Sequence, residues 1–446
     1  LIEGETTIEN GTTLTIEAGV HVIWQNNSSS MYVDGQILAQ GTETDSIIFT
    51  AAIPLNGWKG VKFDSTLVTN DTSKFEYCVF EYAIAYGPYP ENAGGAIGAL
   101  QFGKIIIDHC YFHDNKALQV SGEDPSGGAI ALWASSPVIM NSTFINNISY
   151  AGGAIICWKE SHAKIENNLF TSNTAIFGGA IFCHESDPMI KHNLFYDNSA
   201  GLGGGAIDLW INCSPSIINN TIANNESNDK GGGIILYQGC NPMIQNTILW
   251  GNAADTGNQV YIHTDDCIPA FFYCDIQGGQ AGFGGVPHTG DYKQCFDEDP
   301  LFGLDYSLTW MNEPIPDSTK SPCIDTGDPT MFDPDGTRCD VGAFYYHQDS
   351  VGISDLLPKN KLTWIHCYPN PTNGKSDIRY QISEVRNIAL TVYGVCGREM
   401  VVLVDEAQAA GEYIINFDTS ALPEGLYIIR LQAGDESAVG KLLVVH

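Results

Sequence analysis

A parallel β-helix followed by a small β-sandwich is the fold that this sequence of 446 residues predicts. Three observations predict it. Gly-Gly-Ala-Ile or a close variant begins at Gly94, Gly127, Gly152, Gly178, Gly204 and Gly231, spaced 33, 25, 26, 26 and 27 residues apart. In step with it, an aromatic or aliphatic residue is followed three places later by Asn, at Phe112/Asn115, Phe144/Asn147, Phe170/Asn173, Phe195/Asn198, Ile222/Asn225 and Leu249/Asn252. The composition, with 47 Gly, 20 Pro, 43% apolar and 16% charged residues, describes ordered, turn-rich β structure and not disorder. A period near 26 made of short β-type runs fits one solenoid coil; a leucine-rich repeat would need spaced Leu and a helical return segment, and neither occurs.

The elements follow in chain order. Residues 1–90 lack both markers, yet Thr13–Ile16, Met31–Val33 and 46–50 alternate like half-buried strands and read as the first coils. Through the repeats, the Asn column predicts ladders in which side-chain amides bond from coil to coil, ~4.8 Å apart. Gly-rich turns continue through 278–285, and 335–344 resembles a closing segment, so the solenoid is expected over 1–345 as roughly 13 coils, ~60 Å long. Residues 346–366 read as a polar linker. Alternating runs at 388–393, 400–404, 413–417, 426–431 and 441–445, separated by turn residues, predict a sandwich over 367–446.

The paired markers over ~94–252 resemble the repeats of chlamydial polymorphic outer-membrane proteins, within the right-handed parallel β-helix class; that resemblance implies surface display and adhesion. Gly233 in place of Ala, and Ile222 and Leu249 in place of Phe, are departures from it. At the other end, Tyr368-Pro-Asn-Pro-Thr-Asn-Gly, Val392-Tyr-Gly-Val-Cys-Gly, Leu422-Pro-Glu-Gly-Leu-Tyr and Lys441-Leu-Leu-Val are similar to the C-terminal sorting domain of type IX secretion cargo in Bacteroidota. This resemblance implies periplasmic transit, handling by the type IX machinery, and release or attachment outside the cell.

Charge narrows the partners. With 20 Lys+Arg against 52 Asp+Glu the net charge is −32, which repels nucleic acid and anionic membranes. No apolar run reaches the ~18–20 residues that cross a bilayer as a helix. Residues 1–345 hold 11 Lys and one Arg against 40 acids, a balance that disfavours lyase chemistry on a uronate chain. Hydrolysis needs two carboxylates facing one bond; Asp187 with Asp208, or Glu160 with Glu185, are the candidates, and neither pair stands out among so many acids.

Strand parity points to a binding face. The second residue past each repeat Ile is Ala99, Leu132, Cys157, Cys183, Leu209 and Leu236, an inward column, so the next residue faces out: Leu100, Trp133, Trp158, His184, Trp210 and Tyr237. Trp133, Trp158, His184, Trp210 and Tyr237 are therefore the predicted ligand-binding row, with Asp208 also facing out and ring platforms suited to a polysaccharide or cell-surface glycan. The competing expectation is that the rings stack only to brace the coils, or that a loop such as 116–126 covers them. Asp325, Asp328, Asp333, Asp335 and Asp340 form an oxygen-rich group suited to a structural calcium ion, set against plain acidic turns. Asp108-His109 with His113-Asp114 reads better as part of a polar ladder than as a metal cluster. Cys157 and Cys183 read as core thiols, whereas Cys213 with Cys240 and Cys323 with Cys339 are candidate disulfides. The functional expectation is non-catalytic glycan binding or adhesion. A polysaccharide-degrading enzyme is the alternative, and a self-associating surface-layer or filament component the third.

Overall fold

The computed structural model describes residues 1–348 apart from 89–90, 119–125, 304 and 312–314, and residues 365–445 apart from 383–384, 395–398, 410, 424 and 434–435. Two compact units result, Leu1–Gln348 and Asp349–His446. Most of the expected linker, 349–364, lies outside the described residues. Tyr346 and Gln348 belong to the first unit: the Tyr346 N–H donates to Asp340 Oδ2 at 2.6 Å and the Gln348 amide nitrogen to Asp325 Oδ1 at 2.9 Å.

The first unit is a solenoid of three long parallel sheets, with eleven, eleven and ten strands, and two short parallel ones of two and three strands. The first sheet carries the run after each Gly-Gly-Ala, such as Ile130–Trp133, Ile155–Trp158 and Ile181–His184; the second carries strands such as Ile105–Asp108 and Lys164–Glu166; the third carries the Phe marker, as in Thr143–Ile145 and Leu169–Thr171. Registers are aligned residue for residue, so Ile155 sits on Ile181 and Phe144 on Phe170. Inside, Phe80, Phe112, Phe144, Phe170 and Phe195 form one stack, with centroids 4.7 to 4.8 Å apart.

Turns explain the rest of the repeat. Asn147, Asn173, Asn198 and Asn225 are buried, and each amide nitrogen bonds the next coil's Asn oxygen at 2.9 Å and a Phe carbonyl at 2.9 to 3.0 Å. This is the expected ladder, and it satisfies backbone that would otherwise be orphaned. A second ladder, Asn168–Asn193–Asn220, runs at another corner. Gly152 has φ +66° and a side chain there would meet the Ile155 carbonyl, while a Cβ on Gly153 would meet the Gly179 carbonyl of the next coil, which is why the corner is a Gly pair. His109, Asn141, Asn167, His192, Asn219 and Asn246 all have φ near +50°, so that column is a left-handed corner.

The solenoid is shorter than expected. Ten coils are complete, an eleventh ends at Tyr292–Lys293, and the chain then turns back along the flank instead of winding further. Leu308, Trp310, Cys323, Ile324 and Val341 cluster with Ile248, and Ala343 N–H donates to Thr221 Oγ1 at 3.0 Å, so described residues of 296–348 cover the outer face of the third sheet at its last coils. The reason is local: this stretch is rich in Asp, Pro and Gly turns, and Ile248 and Thr221 face outward with no other cover.

The second unit comprises a three-stranded sheet with Ile365–Tyr368, Lys375–Ile382 and Gly411–Asp418, and a four-stranded one with Arg386–Gly394, Glu399–Gln408, Gly425–Ala433 and Glu436–Val444. Within these two sheets the strands pair antiparallel, and Ile378, Tyr380, Leu390, Val392, Ile429, Leu431 and Leu442 fill one core.

Candidate functional site

Two columns of side chains leave the outer face of the first sheet. The pairing register puts Leu100, Trp133, Trp158 and His184 in one column and Lys62, Gly98, Ala131, Ile156, Phe182, Asp208 and Ile235 in the other. The inward assignment of Ala99, Leu132, Cys157, Cys183, Leu209 and Leu236 holds, for all six are buried.

The ring row is organised differently from a run of open platforms. Trp133 stacks on Trp158 at 5.9 Å and Trp158 on His184 at 4.1 Å; Trp210 then starts a second stack with Tyr237 at 4.9 Å and leans onto Phe177 and Phe182. Interplanar angles of 19°, 9° and 16° mean that the rings cover one another's faces and present mainly edges to solvent. Planar side chains aligned on coils ~4.8 Å apart are close enough to stack, and that spacing leaves no room for a sugar between them. All five are half-buried. The Trp158 indole nitrogen and His184 Nδ1 are enclosed without a hydrogen-bond partner, and burial lowers the His184 pKa.

An open space exists at the near end of the face. Gly98 and Ala131 are the smallest residues of the second column, and above them lies a cleft of about 260 Å³ whose lining includes Tyr32, Lys62, Asp64, Leu100, Trp133 and Trp158. Lys62 leans over Gly98, and its ammonium donates to the carbonyls of Ala93 at 2.6 Å and Gly94 at 2.8 Å. Burial, then the charge of Lys59, lowers its pKa to about 7 against the opposite pull of Glu91 and Asp64. Glu91 is held by Lys59 at 2.7 Å. Asp64 is half-buried and has no hydrogen-bond partner among the described residues. Lys159 lies 5.3 Å from the Trp133 ring centre. Residues 119–125 of the loop expected to cover the row lie outside the described residues. The small residues one place past Ile97 and Ile130 were the signal for the cleft, and reading only the ring column passes over it.

The far end of the same column is closed. Asp208 faces outward as expected, but it is fully buried between Phe182 and Ile235, neither oxygen has a hydrogen-bond partner, and burial pushes its pKa well up. It therefore does not face Asp187, which is exposed on a turn and accepts the Ser214 N–H. Glu160 and Glu185 are exposed on successive left-handed turns, away from the cleft.

The other polar candidates are occupied. His113 lies between Glu81 at 3.0 Å and Asp114 at 2.8 Å; burial would lower its pKa, but these two partners raise it to about 9. His109 instead pairs with Asp108 at 2.7 Å. Among the described residues, no three of His, Cys, Asp and Glu converge to hold a metal ion. The five aspartates of the closing segment turn their carboxylates onto donors of the protein. Asp328 Oδ1 and Asp335 Oδ1 accept the N–H groups of Thr330 and Thr337, Asp333 Oδ2 accepts that of Asp340, Asp340 Oδ1 accepts that of Asp325, and Asp325 Oδ2 pairs with Lys320. The described cysteines are unbridged. Cys213, Cys240 and Cys267 extend a turn ladder begun by Ser135, Ser161 and Ser186, the Cys240 and Cys267 sulfurs each accepting from the preceding coil's backbone N–H, so the expected Cys213–Cys240 bridge is replaced by stacking. Cys323 and Cys339 are held apart by different partners, Asp275 and Asn219.

Comparison with known families agrees with this architecture. The family model described as a right handed beta helix region matches residues 59–222, and that of the secretion system C-terminal sorting domain matches 366–445. No curated protein matches the chain. The resemblance to chlamydial repeats rests on the repeat residues alone. The first unit is a right-handed parallel β-helix, and the tail directs the chain through the type IX machinery to the cell surface or the extracellular space. No helix is long and apolar enough to cross a membrane among the described residues.

Proposed function

We propose that this secreted or surface-displayed β-helix binds a glycan on the outer face of its first sheet, with one sugar ring seated in the cleft above Gly98 and Ala131. The observation that carries the reading is the cleft itself: about 260 Å³, walled by Trp133 and Trp158 and edged by the unpartnered carboxylate of Asp64. Sugars present C–H faces to aromatic side chains and hydroxyls to carboxylates, and a concave, mostly apolar space with few polar groups is the usual form of such sites. Trp133 and Trp158 are thus the binding residues of the row. His184, Trp210 and Tyr237 continue it as bracing stacks that a longer chain would meet along their edges.

Binding without turnover is favoured because hydrolysis needs two carboxylates across the bond, and Glu91, the other acid of the cleft, is held by Lys59. The test is the full chain on a panel of polysaccharides, scoring retention together with released reducing ends and unsaturated products. Retention that falls at least tenfold in Trp133→Ala and is unchanged in Trp210→Ala supports the reading. Equal retention in both variants sinks the cleft, and product release sinks the non-catalytic assignment.

A further inference from the structure

Lys62 is an unusual residue for its place. It is 7% exposed in a chain that carries a net charge of −32, and it faces no carboxylate within ion-pair distance among the described residues. Its nitrogen instead donates to two main-chain oxygens, of Ala93 and Gly94, at the corner where the chain enters the first sheet. Two donations fix two of the four tetrahedral directions of the nitrogen, and the Cδ stem fixes a third through Cε. The fourth is left to the cleft that Lys62 lines, where Gly98 supplies no side chain to fill the space: a Cβ there would lie 3.4 Å from the nitrogen.

We propose that Lys62 is a nucleophilic amine of the cleft, held by the Ala93 and Gly94 carbonyls with its free position directed at an aldehyde-bearing ligand. The step needs no oxidant or reductant. The Nζ lone pair attacks the carbonyl carbon, the C=O π pair moves to oxygen, and that oxygen takes the proton lost by nitrogen; the carbinolamine then expels water as the C=N bond of an imine forms. Burial among low-polarity walls, with Lys59 nearby, favours the neutral amine that this attack requires, while Glu91 and Asp64 oppose it. The inference reaches beyond glycan binding and does not depend on it.

The probe is glyceraldehyde with cyanoborohydride, which reduces an imine to a stable secondary amine, applied to the full chain at pH 7.5 with peptide mass spectrometry at every lysine. An ordinary lysine is neutral in about one molecule per thousand at this pH, and the lower basicity of Lys62 offsets part of its larger neutral fraction. Lys62 is expected to be labelled about tenfold faster than Lys293, whose side chain is 61% exposed. Ala131→Leu, which fills the cleft floor, is expected to bring Lys62 down to the rate of Lys293 or below while leaving Lys293 unchanged. Labelling of Lys62 no faster than Lys293 in the unaltered chain overturns the proposal, as does fast labelling that survives Ala131→Leu.

Discussion

The two ends of the first sheet's outer face are built from the same rungs and differ in what they do. At the near end the second column carries Gly98 and Ala131 and a cleft opens; at the far end it carries Phe182, Asp208 and Ile235, Trp210 leans in over Phe182, and the face is closed. In a solenoid, backbone geometry repeats from coil to coil, so a site is made by omitting side-chain volume at one or two rungs and not by reshaping the chain. Polar groups differ as well: at the near end Lys59 pairs with Glu91 and Asp64 stands half-buried at the cleft, whereas the far end encloses Asp208 completely with no partner.

The largest effect is expected from breaking what the two ends share. Asn173 bonds Asn198 and the Phe144 carbonyl and accepts from Asn147; Asn173→Ala leaves these groups buried and unpaired, and a loss of about 3 kcal/mol or more is expected in denaturant unfolding. Next comes the unpartnered acid. A carboxyl whose folded pKa is raised contributes stability that is complete below pH about 4 and is lost as pH rises. Asp208→Asn is therefore expected to melt higher than the parent protein, by a gap that widens from pH 5 to pH 8; a constant gap would show that ionisation of Asp208 is not the cause.

A smaller effect separates the early and late coils of the third sheet by pH. Burial raises Asp275 and Asp340, which anchor the closing segment, to about 7. Stability held by their neutral forms is complete below pH about 4 and is lost as pH rises through 7, so hydrogen exchange at 321–346, corrected for its intrinsic pH dependence, should accelerate between pH 4 and 7. His113 is raised to about 9, so its contribution is complete below pH about 6.5 and is lost as pH rises through 9; exchange around residues 111–114, corrected in the same way, should accelerate between pH 6.5 and 9. Acceleration of both segments in one pH interval would remove the distinction. The smallest effect is expected from Trp210→Ala, a loss of about 1 kcal/mol or less beyond its buried area from the Tyr237 stack, with glycan retention unchanged.

Much of this molecule was legible before any coordinates. Repeated Phe and Asn at fixed offsets implied stacked coils, and the Phe column and the Asn ladder stand as those offsets require. The ring column was legible as well, because alternation along a strand assigns faces. Its consequence was not: Trp133, Trp158 and His184 cover one another because coils repeat at about the thickness of an aromatic stack. The coil count was overestimated for a related reason, since Asp-Pro and Asp-Gly turns are equally compatible with further winding and with a return along the flank.

Sequence alone determined the period, the inward and outward sides of each strand and the buried Asn corners, because each of these is a local property copied at every repeat, and it determined the secretion address, because the tail's motifs are local as well. Tertiary structure decided where the face is open. The volume above Gly98 depends on neighbours 30 or more residues away in the chain, Lys62 and Trp133 among them, and the closing segment reaches Ile248 and Thr221 across a still longer separation. Space between side chains belongs to a set of residues from several coils, and no single repeat encodes it.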